Sequence, residues 1–287
     1  MYFELAEITA SPWVLLVWGT LVGFVFSTVG AAGGILASVG MISVFGVLDP
    51  NLVKPMVQTL TLATPLIAVP LYMRQCRVVY RLAFLLAAVG VIGALVGSTL
   101  SHSLLSDMSV FKPVFAMLVF FIASQLAWQI LRSSRTTQCQ TRAMRAAEAF
   151  EQQVKDNQEP CAIGVRCTHK SLTRLVFRFG NEEFAFSPWL PLLAGMSIAI
   201  LSSALGVGGG FLLVPFMSIV LRLPMYVIAG TSALAIAVHA LTSIGNYIRL
   251  GIELDLTMLG IMLVGVAAGS AIGPVISKHI PENGLRG

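Results

Sequence analysis

Two glycine-rich stretches have the composition to hold an anion without a charged side chain. One is Ser202-Ser203-Ala204-Leu205-Gly206-Val207-Gly208-Gly209-Gly210; the other is Ser27-Thr28-Val29-Gly30-Ala31-Ala32-Gly33-Gly34. They align at one constant offset, Gly30 on Gly206 and Gly34 on Gly210, and both lie inside apolar runs too long for a single helix. A glycine weakens a helix by roughly 1 kcal/mol relative to alanine, so three in succession predict a break. A helix restarting at Gly208-Gly209-Gly210 exposes unpaired N–H groups and a partial positive charge of about half an elementary unit, and glycine lets an oxyanion approach the backbone. Gly30, Gly33, Gly34, Gly206, Gly208, Gly209 and Gly210 are therefore candidate substrate-binding residues. Gln58, Thr59, Thr231, Ser232 and Asn246 supply further hydrogen-bonding groups in the neighbouring spans. The hydroxyls have a plainer use, bonding to their own helix. Gly93, Gly97, Gly265, Gly269 and Gly273 recur at helical spacing and suit close helix packing.

The elements that position these residues belong to a membrane protein. Hydrophobic residues make up 56% of the chain, charged residues only 11%, and the mean hydropathy is +0.86; soluble domains carry nearer ~25% charge. The net charge of +5 sits in loops, which argues for topology and against nucleic acid. Met1 to Glu7 lacks the basic start of a cleaved signal peptide, so the first apolar run is expected to stay as a span.

Residues 12–48 form one apolar run around the Gly30–Gly34 break. Helices are expected from about Pro55 to Met73, Leu82 to His102 and Phe111 to Leu131, with Leu48-Asp49-Pro50-Asn51 as a turn. Residues 132–186 interrupt this pattern with Arg132, Arg135, Arg142, Arg145, Lys155, Arg166, Lys170, Arg174 and Arg178, nine of the 18 basic residues. The positive-inside rule places that segment in the cytoplasm, with the loop holding Arg74, Arg77 and Arg81, and the N-terminus outside. Within it, Ala143, Ala147, Phe150 and Val154 predict an amphipathic helix, and Leu175, Phe177, Phe179, Phe184 and Phe186 a hairpin. From Ser187 the plan repeats: an apolar run around Gly206–Gly210, then helices from about Val227 to Ile248 and Leu256 to Ile276. Tyr72 and Arg74 match Tyr247 and Arg249 at nearly the same offset.

The expected domains are a first membrane repeat (1–131), a small cytoplasmic α+β insert (132–186) and a second membrane repeat (187–287). The fold class is an all-α polytopic membrane protein. Five segments in the first half, counting the glycine hairpin as two, bring the second in from the opposite face, so the repeats are inverted. Lys112 aligns near Arg286, so the last segment of the second repeat is expected to be missing.

These residues resemble the TauE/SafE family of sulfite and organosulfonate exporters, also called the 4-toluene sulfonate uptake permease family. The resemblance rests on Gly23 to Gly34, Gly195, Ser202 to Gly210, Pro215 and Ala229-Gly230-Thr231-Ser232. It covers both membrane halves but not 132–186, and the first half has Ala31 and Ala32 where the second has Val207 and Gly208. It implies movement of a small anion, such as sulfite, sulfoacetate or a related sulfur or carboxylate compound, driven by an ion gradient.

The leading reading is a secondary transporter, an exporter, that binds its anion between the two glycine hairpins by alternating access. The alternative is a membrane-embedded sensor or assembly factor working through the insert. An enzyme ranks below both, since no carboxylate pair, Ser/His/Asp set or metal cluster falls in the spans. No cofactor is called for; the coupling ion is H+ or Na+, and His239, mid-helix, is either a proton relay or a packing residue. The partners are a small anion and the lipid bilayer of a bacterial inner membrane, not nucleic acid, and homo-oligomerisation stays open. Cys139, Cys161, Cys167 and His169 lack the spacing of a zinc site, and the four cysteines are expected as free thiols.

Overall fold

The structure, a computed structural model, describes residues 1–29, 33–133, 143, 145–147, 165–170, 175–179 and 182–277. A short antiparallel pair, β1 (Tyr2–Phe3) and β2 (Ile8–Thr9), buries Phe3 and Ile8 against one end of the bundle. Two residues per strand are too few for an alternation signal. Helix α1 (Pro12–Val29) leads to the first glycine cluster, and a short α2 (Gly33–Val39) follows it and continues as a π turn over Gly40–Val44. Next come α3 (Pro50–Arg74), α4 (Tyr80–Leu104) and α5 (Met108–Ser133). Proline at the first helical position loses nothing by lacking an N–H, and Asp49 Oδ1 accepts the Asn51 N–H at 2.8 Å. That cap starts α3 at Pro50 instead of near Pro55, which draws Lys54 into the helix.

After the insert, α6 (Trp189–Leu205) reaches the second cluster, α7 (Gly210–Pro215) restarts the chain and again continues as a π turn over Phe216–Val220, and α8 (Met225–Arg249) and α9 (Leu256–Ser277) complete the described helices. α3, α4, α8 and the 108–125 portion of α5 are long and apolar enough to cross a membrane. The chain is a multi-pass, mostly helical membrane protein.

Local geometry repeats between the halves. In the first, Phe45 N–H bonds to Gly40 O, Val47 N–H to Met41 O, and Gly46 has φ +75°. In the second, Leu221 N–H bonds to Phe216 O, Leu223 N–H to Met217 O, and Arg222 has φ +51°. α3 and α8 also end alike, in paired 6→1 and 5→2 hydrogen bonds. Arg77 N–H reaches Tyr72 O and Cys76 N–H reaches Met73 O; Ile252 N–H reaches Tyr247 O and Gly251 N–H reaches Ile248 O. Cys76, at φ +51°, stands where the second half has Gly251 at +87°.

The halves grip each other reciprocally. α1 packs on α9, and α4 on α6. A methyl on Gly23 would overlap the Val266 carbonyl of α9, one on Gly269 the Thr20 carbonyl of α1, and one on Gly97 the Ile200 carbonyl of α6. Backbones this close exclude a side chain, which is the packing role expected of small residues at helical spacing.

The insert contributes a three-stranded antiparallel sheet, β3 (Arg166–Lys170), β4 (Leu175–Phe179) and β5 (Glu182–Phe186), in that order. The hairpin is the expected one. β3 has no apolar alternation and escaped notice. Phe177 stacks on Phe184 at 5.5 Å, and Phe177, Phe179 and Phe184 share a core with Val79 of the α3–α4 loop and with Leu223 and Val227 around the start of α8. Of the helical residues 143 and 145–147, Ala146 is buried, and Arg145 pairs with Glu182 of β5 at 3.8 Å; Phe150 and Val154 lie outside the described residues. The expectation of free thiols is corrected at Cys76, which is disulfide-bonded. The insert folds back on the loop after α3, where Val165 N–H donates to Cys76 O at 2.9 Å.

A candidate anion cavity and its arginine loop

The two breaks meet. Gly206 (φ +73°) and Gly208 (φ +69°) take left-handed conformations that glycine alone adopts at little cost. Gly206 caps α6 and lies on α3, where a methyl would stand 2.5 Å from Lys54 Cα. At Gly208 a methyl would stand 2.9 Å from Thr61 Oγ1, and at Gly34 it would overlap the Val207 carbonyl. The described residues that flank the two breaks therefore meet at one crossing beside Thr61 of α3. Gly209 caps α7 and Gly210 begins it, and Gly33 packs against the Phe26 side chain; Gly30 lies outside the described residues. Since α7 is a single short helix of six residues, its dipole is weaker than that of a long restart.

Beside this crossing lies a cavity of about 580 Å³ between α1, α3, α7, α8 and α9. Its walls are mainly apolar, with hydroxyls at Ser27, Thr64, Ser232 and Ser270. Thr64 Oγ1 and Ser270 Oγ are 3.5 Å apart. The cavity runs from Met225 at the start of α8 to Ile236, a depth of roughly 16 Å at ~1.5 Å per residue. Two of its wall residues also touch the breaks: Phe26 meets Gly33, and Ile236 Cγ1 lies 3.8 Å from a methyl position on Gly209. Of the candidate substrate-binding residues, the cavity takes in Ser232. Gln58 is buried beside the crossing, with Oε1 lacking a partner among the described residues. The Thr59 hydroxyl bonds back to Pro55 O at 2.8 Å, and Asn246 donates to Ser98 Oγ at 2.7 Å and Thr99 Oγ1 at 2.9 Å on α4.

At the end beside the α3–α4 loop stand Tyr72, Gln75 and Arg77, and Arg77 is the one full charge among the described lining residues. The helix-ending hydrogen bonds of α3 fix its backbone, and its guanidinium lies over the Tyr226 ring at 4.6 Å. Burial pushes the Arg77 pKa down, opposed by Tyr226 and Tyr72; arginine keeps its charge all the same. A partly desolvated cation is one that an anion would relieve.

The segment Gly230-Thr231-Ser232 holds this loop. A methyl on Gly230 would stand 3.2 Å from Arg77 O and 3.3 Å from Tyr72 Cβ, so glycine lets α8 approach. Thr231 Oγ1 accepts the Val79 N–H at 3.1 Å, fully buried. Ser232 faces the cavity. Thr231→Val should leave the Val79 N–H unsatisfied at a cost of ~1–3 kcal/mol, read as a lower melting temperature, while Thr231→Ser should stay near wild type.

Sequence reasoning passed over Arg77, taking it with Arg74 and Arg81 as a topology marker. The available signal was asymmetry, because at the offset that matches Tyr72 with Tyr247, Arg77 falls on Ile252.

Lys54 was also missed. It is completely buried at the opposite end of the bundle. Its ammonium donates to Ser101 Oγ at 2.7 Å, Leu105 O at 2.8 Å, Asn51 Oδ1 at 3.2 Å and Ser101 O at 3.3 Å, and lies 5.3 Å from the Phe111 ring centroid. The Ser101 hydroxyl in turn donates to Ala204 O at the end of α6.

A family model described as sulfite exporter TauE/SafE matches residues 15–287. Two curated proteins of Xylella fastidiosa, each named a probable membrane transporter protein, are similar to the chain. The one from strain 9a5c is 24% identical over 268 residues, covering 91% of this chain and 85% of its own length. The one from strain Temecula1 is 25% identical over 265 residues, covering 91% and 83%. No solved structure matches. With a match that spans both membrane halves and the glycine breaks within them, the chain belongs to the TauE/SafE sulfite exporter family.

Proposed function

We propose that this membrane transporter moves a small organic oxyanion, such as sulfoacetate or a related sulfonate or carboxylate, by alternating access between two inverted repeats. The observation that carries the substrate class is the cavity, with Arg77 at its mouth and hydroxyls along its walls. About 580 Å³ equals roughly twenty water volumes at ~30 Å³ each. Bare sulfite fills only a small part of that space, whereas an anion with an apolar body meets both the cation and the apolar walls. The repeated local geometry and the reciprocal packing of α1 on α9 and α4 on α6 support the inverted-repeat reading.

In this reading the anion enters from the Arg77 side, which the basic loops assign to the cytoplasm of a bacterial inner membrane. Arg77 neutralises it, Ser232, Thr64 and Ser270 bond its oxygens, and displacement of Phe26 and Ile236 opens the way to the glycine crossing. Export follows when the opposite end opens, driven by H+ or Na+. The test is uptake into proteoliposomes of radiolabelled sulfoacetate and sulfite with imposed proton or sodium gradients. Gradient-dependent sulfoacetate flux exceeding that of sulfite is expected; flux of sulfite alone would reject the organic anion, and no flux of either from folded protein would reject transport of this class.

The sensor reading draws on one observation, the shared core between the insert and the mouth loop. Removing 134–186 discriminates, because a transporter retains flux and a sensor loses its output.

A further inference from the structure

The Lys54 ammonium sits among oxygens as a monovalent cation would, except that it is tethered. Three N–H groups face four acceptors: Asn51 Oδ1, Ser101 O, Ser101 Oγ and Leu105 O. Ser101 O and Leu105 O are carbonyls at the C-terminal end of α4, where the helix dipole favours a cation. Through the Ser101 hydroxyl the ammonium also reaches Ala204 O, and α6 ends on Gly206 against the Lys54 backbone. Gly206 N–H meets Ser202 O at 2.9 Å and Tyr247 OH meets Ser203 O at 3.3 Å. One side chain thus ties three helices together at the end of the bundle away from Arg77.

Charged and titratable groups stand on the surrounding elements. Asp49 caps Asn51 and also attracts the Lys54 ammonium through space, and Asp255 caps Met258 at 3.0 Å. Asp107 caps Ser109 at 2.9 Å, and Lys112 is exposed on α5. His102 is on α4, Tyr247 is on α8, and α6 carries none. Among the described residues the ammonium forms no ion pair with a carboxylate. Lysine, unlike arginine, can give up its charge inside a protein.

We propose that Lys54 is the coupling residue: loss of its proton to water unties α4 from α6 and opens this end of the bundle, and reprotonation closes it. The step is Lys54–NH3⁺ to Lys54–NH2 plus H⁺. It leaves two N–H donors for four acceptors and removes the cation from the end of α4. This inference rests on the transporter reading, since coupling has meaning only there, but its test needs no substrate.

Leu205 is 3% exposed at the end of α6. A Leu205→Cys chain in nanodiscs is treated with an impermeant maleimide at about pH 6 and about pH 9, and labelling of that residue is followed by mass spectrometry with Lys54, Lys54→Met or Lys54→Arg in place. Comparing variants at each pH cancels the ionisation of the thiol itself. At pH 6 the Met variant should label about tenfold faster than wild type, a ratio equivalent to ~1.4 kcal/mol. At pH 9 wild type should approach the Met variant, while the Arg variant stays protected at both. Equal labelling of all three, or a wild-type to Met ratio unchanged by pH, would overturn the proposal. Failure of the flux assay with this pattern intact would strike the substrate reading alone.

Discussion

Arg77→Met should raise the KM for sulfoacetate by about 30-fold or more, because losing one partner of a desolvated charge pair costs ~2–5 kcal/mol and each ~1.4 kcal/mol is tenfold. Arg77→Lys should retain part of the affinity. It keeps the charge but loses the planar fork that binds two oxyanion oxygens at once and stacks on Tyr226. The same argument predicts the sign of a binding effect on stability. Burial lowers the Arg77 pKa, with Tyr226 and Tyr72 offsetting part of the effect, so the folded state bears a residual desolvation cost below that pKa, which includes the whole neutral range. An anion seated beside Arg77 relieves it, and ligand that binds only the folded state raises the melting temperature. Sulfoacetate at a concentration that saturates wild type should therefore raise its melting temperature and move that of Arg77→Met much less. An equal rise in both would remove Arg77 from the binding site.

The second large effect separates two glycines that composition treats alike. Gly34→Ala should cost more than the usual ~1–3 kcal/mol of overpacking, because its methyl would overlap the Val207 carbonyl, part of the opposite chain reversal. Gly209→Ala should stay within about 0.5 kcal/mol of wild type. Its methyl would stand 3.5 Å from Ser202 Oγ and 3.8 Å from Ile236, an ordinary contact, and its φ of −68° suits any residue. Thermal melting and monodisperse yield in detergent would read both. Equal losses would mean that the breaks do not meet at Gly34.

The glycine breaks were legible because a glycine run is costly in a helix and rarely serves packing alone. The long spans were legible from apolar length. The end of α3 was not: its closing turn uses Cys76 where α8 uses Gly251, so the residue that normally marks a left-handed turn is absent. Lys54 stayed hidden because Pro55 resembled a helix start, although Asp49-Pro50 supplies both the cap and the first helical position. Thr231 and Ser232 were picked for their hydroxyls, but sequence does not show that one faces a backbone N–H and the other a cavity. The mouth was the least legible part, because Arg77, Tyr226 and Gly230 come together only when two distant helix ends meet.

The reciprocal grip of the helices bears on how the chain is made. α1 leaves the ribosome first, yet the backbone that Gly19 and Gly23 fit against belongs to α9, which is synthesised last among the described helices. Until then that glycine face lacks the backbone it fits. Both seams, α1 on α9 and α4 on α6, join the two halves, so neither can close until the carboxy-terminal half has been made.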